Sequence, residues 1–157
     1  MAVSIVIVGA GPAGFYCAEA LIRKRADALI DIIDRLPTPH GLVRAGVAPD
    51  HQGTKAITRV FDRTAQKPNL RFLGNVSLGR DVSLAELQAN YDAVVLAFGA
   101  PRDRRLGVPG EELPGVFGSG AFVVSRSAVC AALLTARRRW SEFWVLLARM
   151  TLIQIGF

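Results

Sequence analysis

Three glycines near the start of the chain have the spacing of a phosphate cradle. Gly9-Ala10-Gly11-Pro12-Ala13-Gly14 fits G-x-G-x-x-G and follows a short β-branched run. In that setting each glycine has a separate task. Gly9 permits a tight turn, Gly11 lets a pyrophosphate approach the backbone, and Gly14 lets a helix pack closely on a strand. Pro12 sits where a helix tolerates proline, in the first turn, and Ala13 follows it. The free N–H groups and positive dipole end of such a helix suit a phosphate. Asp34 lies twenty residues after Gly14, where a carboxylate accepts hydrogen bonds from ribose hydroxyls. Arg35 follows it and would instead favour a 2′-phosphate. The loop binds an ADP half, so it does not separate FAD from NAD.

These residues need strands and helices to hold them. Val3–Val8 reads as a buried strand, 12–25 as a helix and 29–34 as a second strand. Together they form a parallel βαβ crossover. A Pro- and Gly-rich loop, 35–53, comes next, and a connector of that length is usually functional or disordered. The pattern predicts a helix over 54–66 and short strands over 70–73 and 76–78. It predicts a helix over 83–90 opened by a Ser83/Glu86 capping box, and a third buried strand over 93–98. Residues 101–120 read as a loop with turns at Pro109-Gly110 and Pro114-Gly115.

Composition narrows the functional classes. The chain has 157 residues, enough for one core and too few for two full nucleotide domains. Its net charge of +6 is uneven. From Ser125 onward five arginines face one acid, whereas residues 1–124 carry fourteen Lys/Arg against twelve Asp/Glu. A nearly balanced body with no recognised binding module argues against a nucleic-acid partner. Cys17 and Cys130 make no metal-binding or CxxC pattern, and His40 and His51 are too few for a local metal site. The apolar stretch 140–157 is interrupted by Glu142, Arg149 and Gln154, so it is not read as a membrane span. No basic n-region precedes the first apolar run, and a cytoplasmic protein is the expectation.

Five segments then carry a resemblance: "VGAGPAGFYCAEAL", "PTPHGLVRAGVAPDH", "LGNVSLGRDVS", "YDAVVLAFGA" and "VPGEELPGVFGSGAFV". In this order and spacing they resemble the adrenodoxin-reductase-like ferredoxin–NADP⁺ reductases over roughly residues 3–124. The loop ending in Val-Ala-Pro-Asp-His is the specific part. The resemblance implies an α/β, Rossmann-like FAD/NAD(P)-binding fold with a parallel sheet, of the glutathione-reductase type. It implies a flavoprotein in which NADPH gives a hydride to FAD and single electrons pass to a ferredoxin-type carrier. It implies FAD contacts at the positions of Ala13, Asp34, Leu42 and Leu78, with Asp34 one methylene shorter than the family's usual Glu. It places His51 near the flavin and Arg104 at an NADP contact; without it, Arg102, Arg104 and Arg105 read as a solvated basic run.

The resemblance stops at Val124. Residues 1–124 are therefore expected to form the FAD-binding portion, and 125–157 a basic, apolar tail foreign to the family. The alternative for that tail is an amphipathic helix that caps the sheet. The family's second glycine-rich loop, for NADPH, is not found in this sequence, nor is its flavin-covering C-terminal segment. The fold is expected to be incomplete and the chain alone inactive. Two alternatives remain open: a non-catalytic FAD- or ADP-binding remnant, and another NADPH-dependent flavoprotein such as a relative of the glutamate synthase small subunit.

Overall fold

In the computed structural model, residues 2–48, 50–100, 102–118, 120 and 122–123 are described. The tail over 125–157, with its proposed boundary and its amphipathic alternative, lies outside them. The chain divides into two compact units: Met1–Val47 with His51–Pro101, and Ala48–Asp50 with Arg102–Phe157.

The first unit is built on four parallel strands. β1 spans Ser4–Val8, β2 Leu29–Ile33, β3 Leu70–Leu73 and β4 Ala93–Leu96, in the order β3-β2-β1-β4. Val6 pairs with Asp31 on one side and with Val94 on the other. The central β1 is nearly all apolar because both its faces are covered. Ile5 and Ile7 join Phe15, Ala18, Ile30, Ile32 and Phe61 in one core cluster. Val6 and Val8 join Ile33 and Leu87 in a second. That alternation is the period-two geometry of a strand.

Helix α1, Pro12–Lys24, crosses from β1 to β2 and buries Gly14, Phe15 and Ala18. Its last turn carries Arg23 and Lys24, which complement the negative end of the helix dipole. Inside the Pro/Gly-rich loop a single helical turn, α2, spans Leu42–Ala45. The helix expected over 54–66 is two pieces: α3, Gln52–Lys55, and α4, Thr58–Ala65. Thr58 Oγ1 donates to the Lys55 carbonyl at 2.8 Å, and tight turns at Ala56–Arg59 and Ile57–Val60 join the pieces. A threonine hydroxyl that takes a helical carbonyl competes with the backbone ladder. The stretch 76–78 forms no strand. Ser77 N–H donates to the Asp81 carboxylate at 2.8 Å, Gly79 takes φ +88°, and the segment turns back to an isolated Leu78–Val82 bridge. Helix α5, Leu84–Asn90, opens with the anticipated capping box: Glu86 N–H donates to Ser83 Oγ at 3.1 Å, and Ser83 N–H donates to Glu86 at 2.8 Å.

Residues 102–118 of the second unit form a loop. Glu111 closes it by accepting from Leu106 N–H at 2.9 Å and Gly107 N–H at 2.8 Å, which holds its carboxyl below the usual range. Gly110 and Gly115 take φ +90° and +95°, as turns after Pro109 and Pro114 demand. Among the described residues no helix is long and apolar enough to cross a membrane, and no cluster of His, Cys, Asp and Glu offers a metal site.

Candidate functional site

The glycine loop runs from the end of β1 into α1, at the carboxyl edge of the sheet, where open α/β folds bind ligands. Its three glycines differ in what surrounds them. Gly9 has φ +116°, and an added Cβ would meet the Ala97 carbonyl and the Phe98 backbone. A Cβ on Gly14 would strike the Gly9 carbonyl oxygen. Both positions are closed by the protein's own backbone. A Cβ on Gly11 meets nothing within 4 Å, so that face of the loop is open. Gly11 is also the N-cap of α1, with no side-chain cap and no acid in the first turn. The unpaired positive end of a thirteen-residue helix therefore faces space that a side chain would fill. An uncapped helix start with open space beside it and no acid in its first turn is a place where a pyrophosphate would be held.

The peptide of Ala10 is gripped at both ends. Its N–H donates to Asp34 Oδ2 at 2.7 Å, and its carbonyl accepts from the His40 backbone N–H at 2.7 Å. Asp34, just past β2, also accepts from Leu36 N–H through Oδ1 at 2.9 Å. The acid thus fixes the glycine loop and the start of the following loop together. An ionised carboxylate has about four acceptor sites, so two lone pairs remain for a ligand's hydroxyls. Gly41, with φ +50°, lies against the open loop: a Cβ there would come within 3.1 Å of Gly11 Cα. Leu42 follows as the first residue of α2 and is 63% exposed, although large and apolar.

The remaining candidates stand elsewhere. Pro12 and Ala13 begin α1, with Ala13 exposed. Leu78 is half-buried and packs on the second core cluster, with Val76, Val82 and Tyr91 also on it. His51 is exposed and is the N-cap residue of α3. Arg104 is exposed and belongs to the second unit. The structure therefore brings Gly9–Gly14, Asp34 and the His40–Leu42 turn together. His40 and Gly41 carry positions that the motif reading passed over. The only signal in the sequence was the turn-prone Pro39-His40-Gly41; the φ of +86° at His40 is seen only in the structure.

Residues 3–138 match the family model described as pyridine nucleotide-disulphide oxidoreductase, beyond the motif resemblance that ends at 124. The chain is 54% identical over 119 residues to an Arabidopsis thaliana mitochondrial NADPH:adrenodoxin oxidoreductase, covering 76% of this chain and 25% of that protein. It is 49% identical over 125 residues to the NADPH-ferredoxin reductase FprA of Mycobacterium leprae, covering 76% and 27%. The solved structure of Mycobacterium tuberculosis FprA in complex with NADPH superposes with a TM-score of 0.76 at 45% identity, over 78% of this chain and 28% of that one. The chain spans about a quarter of the length of these relatives. By its sequence, its parallel sheet and its glycine loop, the chain belongs to the pyridine nucleotide-disulphide oxidoreductase family, and is similar within it to the adrenodoxin and ferredoxin reductases.

Proposed function

We propose that the first unit holds the ADP half of FAD in a flavoenzyme of the ferredoxin–NADP⁺ reductase type. One observation carries this reading: Gly11 is open where Gly9 and Gly14 are closed, at the uncapped start of α1. In the reading, the N–H groups of the first turn of α1 bind the pyrophosphate, and Gly9 and Gly14 keep strand and helix close enough to present them. The free lone pairs of Asp34 accept from the ribose hydroxyls, and Leu42 covers an apolar part of the cofactor with a surface otherwise left in water. Leu78 is assigned a further contact, and His51 a place near the flavin.

Bound flavin would accept a hydride from NADPH and release single electrons to a ferredoxin-type carrier. That partner and that donor come from the names of the relatives, which are adrenodoxin and ferredoxin reductases using NADPH. Arg104 is the residue assigned to the NADP side, by the position it matches in the family resemblance. Whole-enzyme turnover is a property proposed for the architecture of those longer relatives. ADP-half binding is the part assigned to the residues described above.

The test is direct. The purified chain is expected to retain FAD through gel filtration, or to bind added FAD with a change in its visible absorbance. A chain that leaves the column colourless and shows no change with added FAD contradicts the reading. Reduction of the bound flavin by NADPH then separates a catalytic chain from a binding-only one.

A further inference from the structure

The turn at His40 joins two unusual features. Its backbone lies at φ +86°, a conformation that costs a non-glycine residue and is kept only when the surroundings enforce it. Its side chain is 2% exposed, a rare state for an imidazole in a loop. The ring packs beside Phe15 of α1, with centroids 5.4 Å apart, and beside Phe61 of α4, at 5.8 Å. Those two phenylalanines stack on each other at 5.0 Å. The side chain is therefore anchored in the core cluster while its own N–H holds the Ala10 carbonyl and its neighbour Gly41 backs Gly11. We propose that His40 is a positioning residue for the nucleotide: its buried neutral ring pins the turn that fixes Ala10 and backs Gly11. This rests on the reading that the glycine loop binds an ADP half.

Two charged groups face the ring. Arg44 of α2 places Nη2 3.4 Å from Nδ1, and a guanidinium can only donate, so Nδ1 accepts and the proton sits on Nε2. Asp62 of α4 places Oδ1 3.2 Å from Nε2, yet Nε2 has no hydrogen-bond partner. From α1 the ring meets the uncharged Phe15. Burial holds the imidazole below its ordinary 6.5, Asp62 opposes this and Arg44 reinforces it. A histidine whose folded pKa is lowered favours the packed ring above 6.5 and loses that preference as pH falls toward the lowered value. Protonation thus loosens the turn, and nucleotide affinity falls in mild acid. By reciprocity, nucleotide that needs the packed neutral ring lowers the His40 pKa, and this conformational linkage outweighs the upward pull of the ligand's own negative charge.

The experiment measures calorimetric binding of ADP-ribose, whose pyrophosphate is a diester and does not titrate in this range, from about pH 7.5 to 5.5. Wild type is expected to lose affinity several-fold across that span, about tenfold for each pKa unit of linkage. His40→Phe should bind with a flat profile, because it fills the ring site and does not titrate. His40→Gly, which relaxes the backbone but empties the ring site, should bind at least ~10-fold more weakly at pH 7.5. A fall that persists in H40F, or wild-type affinity in H40G, overturns the proposal. The wild-type chain gives a check independent of any variant's folding: saturating ADP-ribose should lower the His40 pKa read from its ring proton shifts, and an unchanged pKa overturns the proposal too. Wild type that binds no ADP-ribose at any pH sinks the nucleotide reading itself, and the role of His40 with it.

Discussion

One added methyl group does two different things in one six-residue loop: it strikes backbone at Gly9 and Gly14 and meets nothing at Gly11. At Gly14 it would collide with the Gly9 carbonyl, which belongs to rigid backbone. Gly14→Ala is expected to destabilise the fold by at least ~2 kcal/mol, seen as a lower denaturant midpoint, because strand and helix must move apart. At Asp34 the logic is acceptor loss. Asp34→Ala leaves the Ala10 and Leu36 N–H groups without their carboxylate, and a loss of about 1–3 kcal/mol in chemical denaturation is expected, whether or not nucleotide is present. Asp34→Asn tests the same site more gently, since its amide oxygen still accepts one of the two. The glycine spacing and the acid were readable in the chain because their geometry is local. The double grip on Ala10 was not, since it joins residues 10, 34 and 40, which only the folded sheet brings together.

At the scale of elements, local chemistry was legible where it depends on a few neighbouring residues. The capping box of α5 is an example, since Ser83 and Glu86 satisfy each other's N–H groups across one turn. Ser83→Ala should cost about 1 kcal/mol, measurable as a lower thermal midpoint. The break between α3 and α4 was missed because apolar spacing continues through it while the Thr58 hydroxyl takes the Lys55 carbonyl. The polar face of the sheet was also hidden. Asp31 of β2 is buried, yet accepts from Arg71 of β3 through two bonds of 2.7 Å and from Tyr91 Oη, at the C-cap of α5, at 2.6 Å. They line a cavity of about 560 Å³ with Glu86 and Asn90. Burial raises the Asp31 carboxyl, but Arg71 and Tyr91 together outweigh it and the net shift is downward. A carboxyl with a lowered folded pKa stabilises the fold above its unfolded value of about 3.8, and that contribution is lost as pH falls through the folded value. Arg71→Ala removes the larger partner, so the acid-unfolding midpoint should move to higher pH. An unchanged midpoint would show that Tyr91 suffices.

For the whole molecule, the four-stranded parallel order β3-β2-β1-β4 and the family match over residues 3–138 agree on a nucleotide fold. The fold class was legible because buried parallel strands read as unbroken β-branched runs, as β1 and β2 do. The placement of Arg104 was not, because the described residues around it follow turns and not a repeating pattern. The central claim is that the open face of the loop is a binding surface, while its closed faces are structural. Gly11→Ala isolates that claim. Its Cβ meets no protein atom, and an N-cap change of this kind costs at most about 1 kcal/mol, so the variant should fold. FAD binding by Gly11→Ala, measured beside its thermal unfolding, is the most direct test. A near-native unfolding midpoint with affinity lowered at least ~10-fold is the expected result. A folded variant that binds FAD as wild type does would contradict the account.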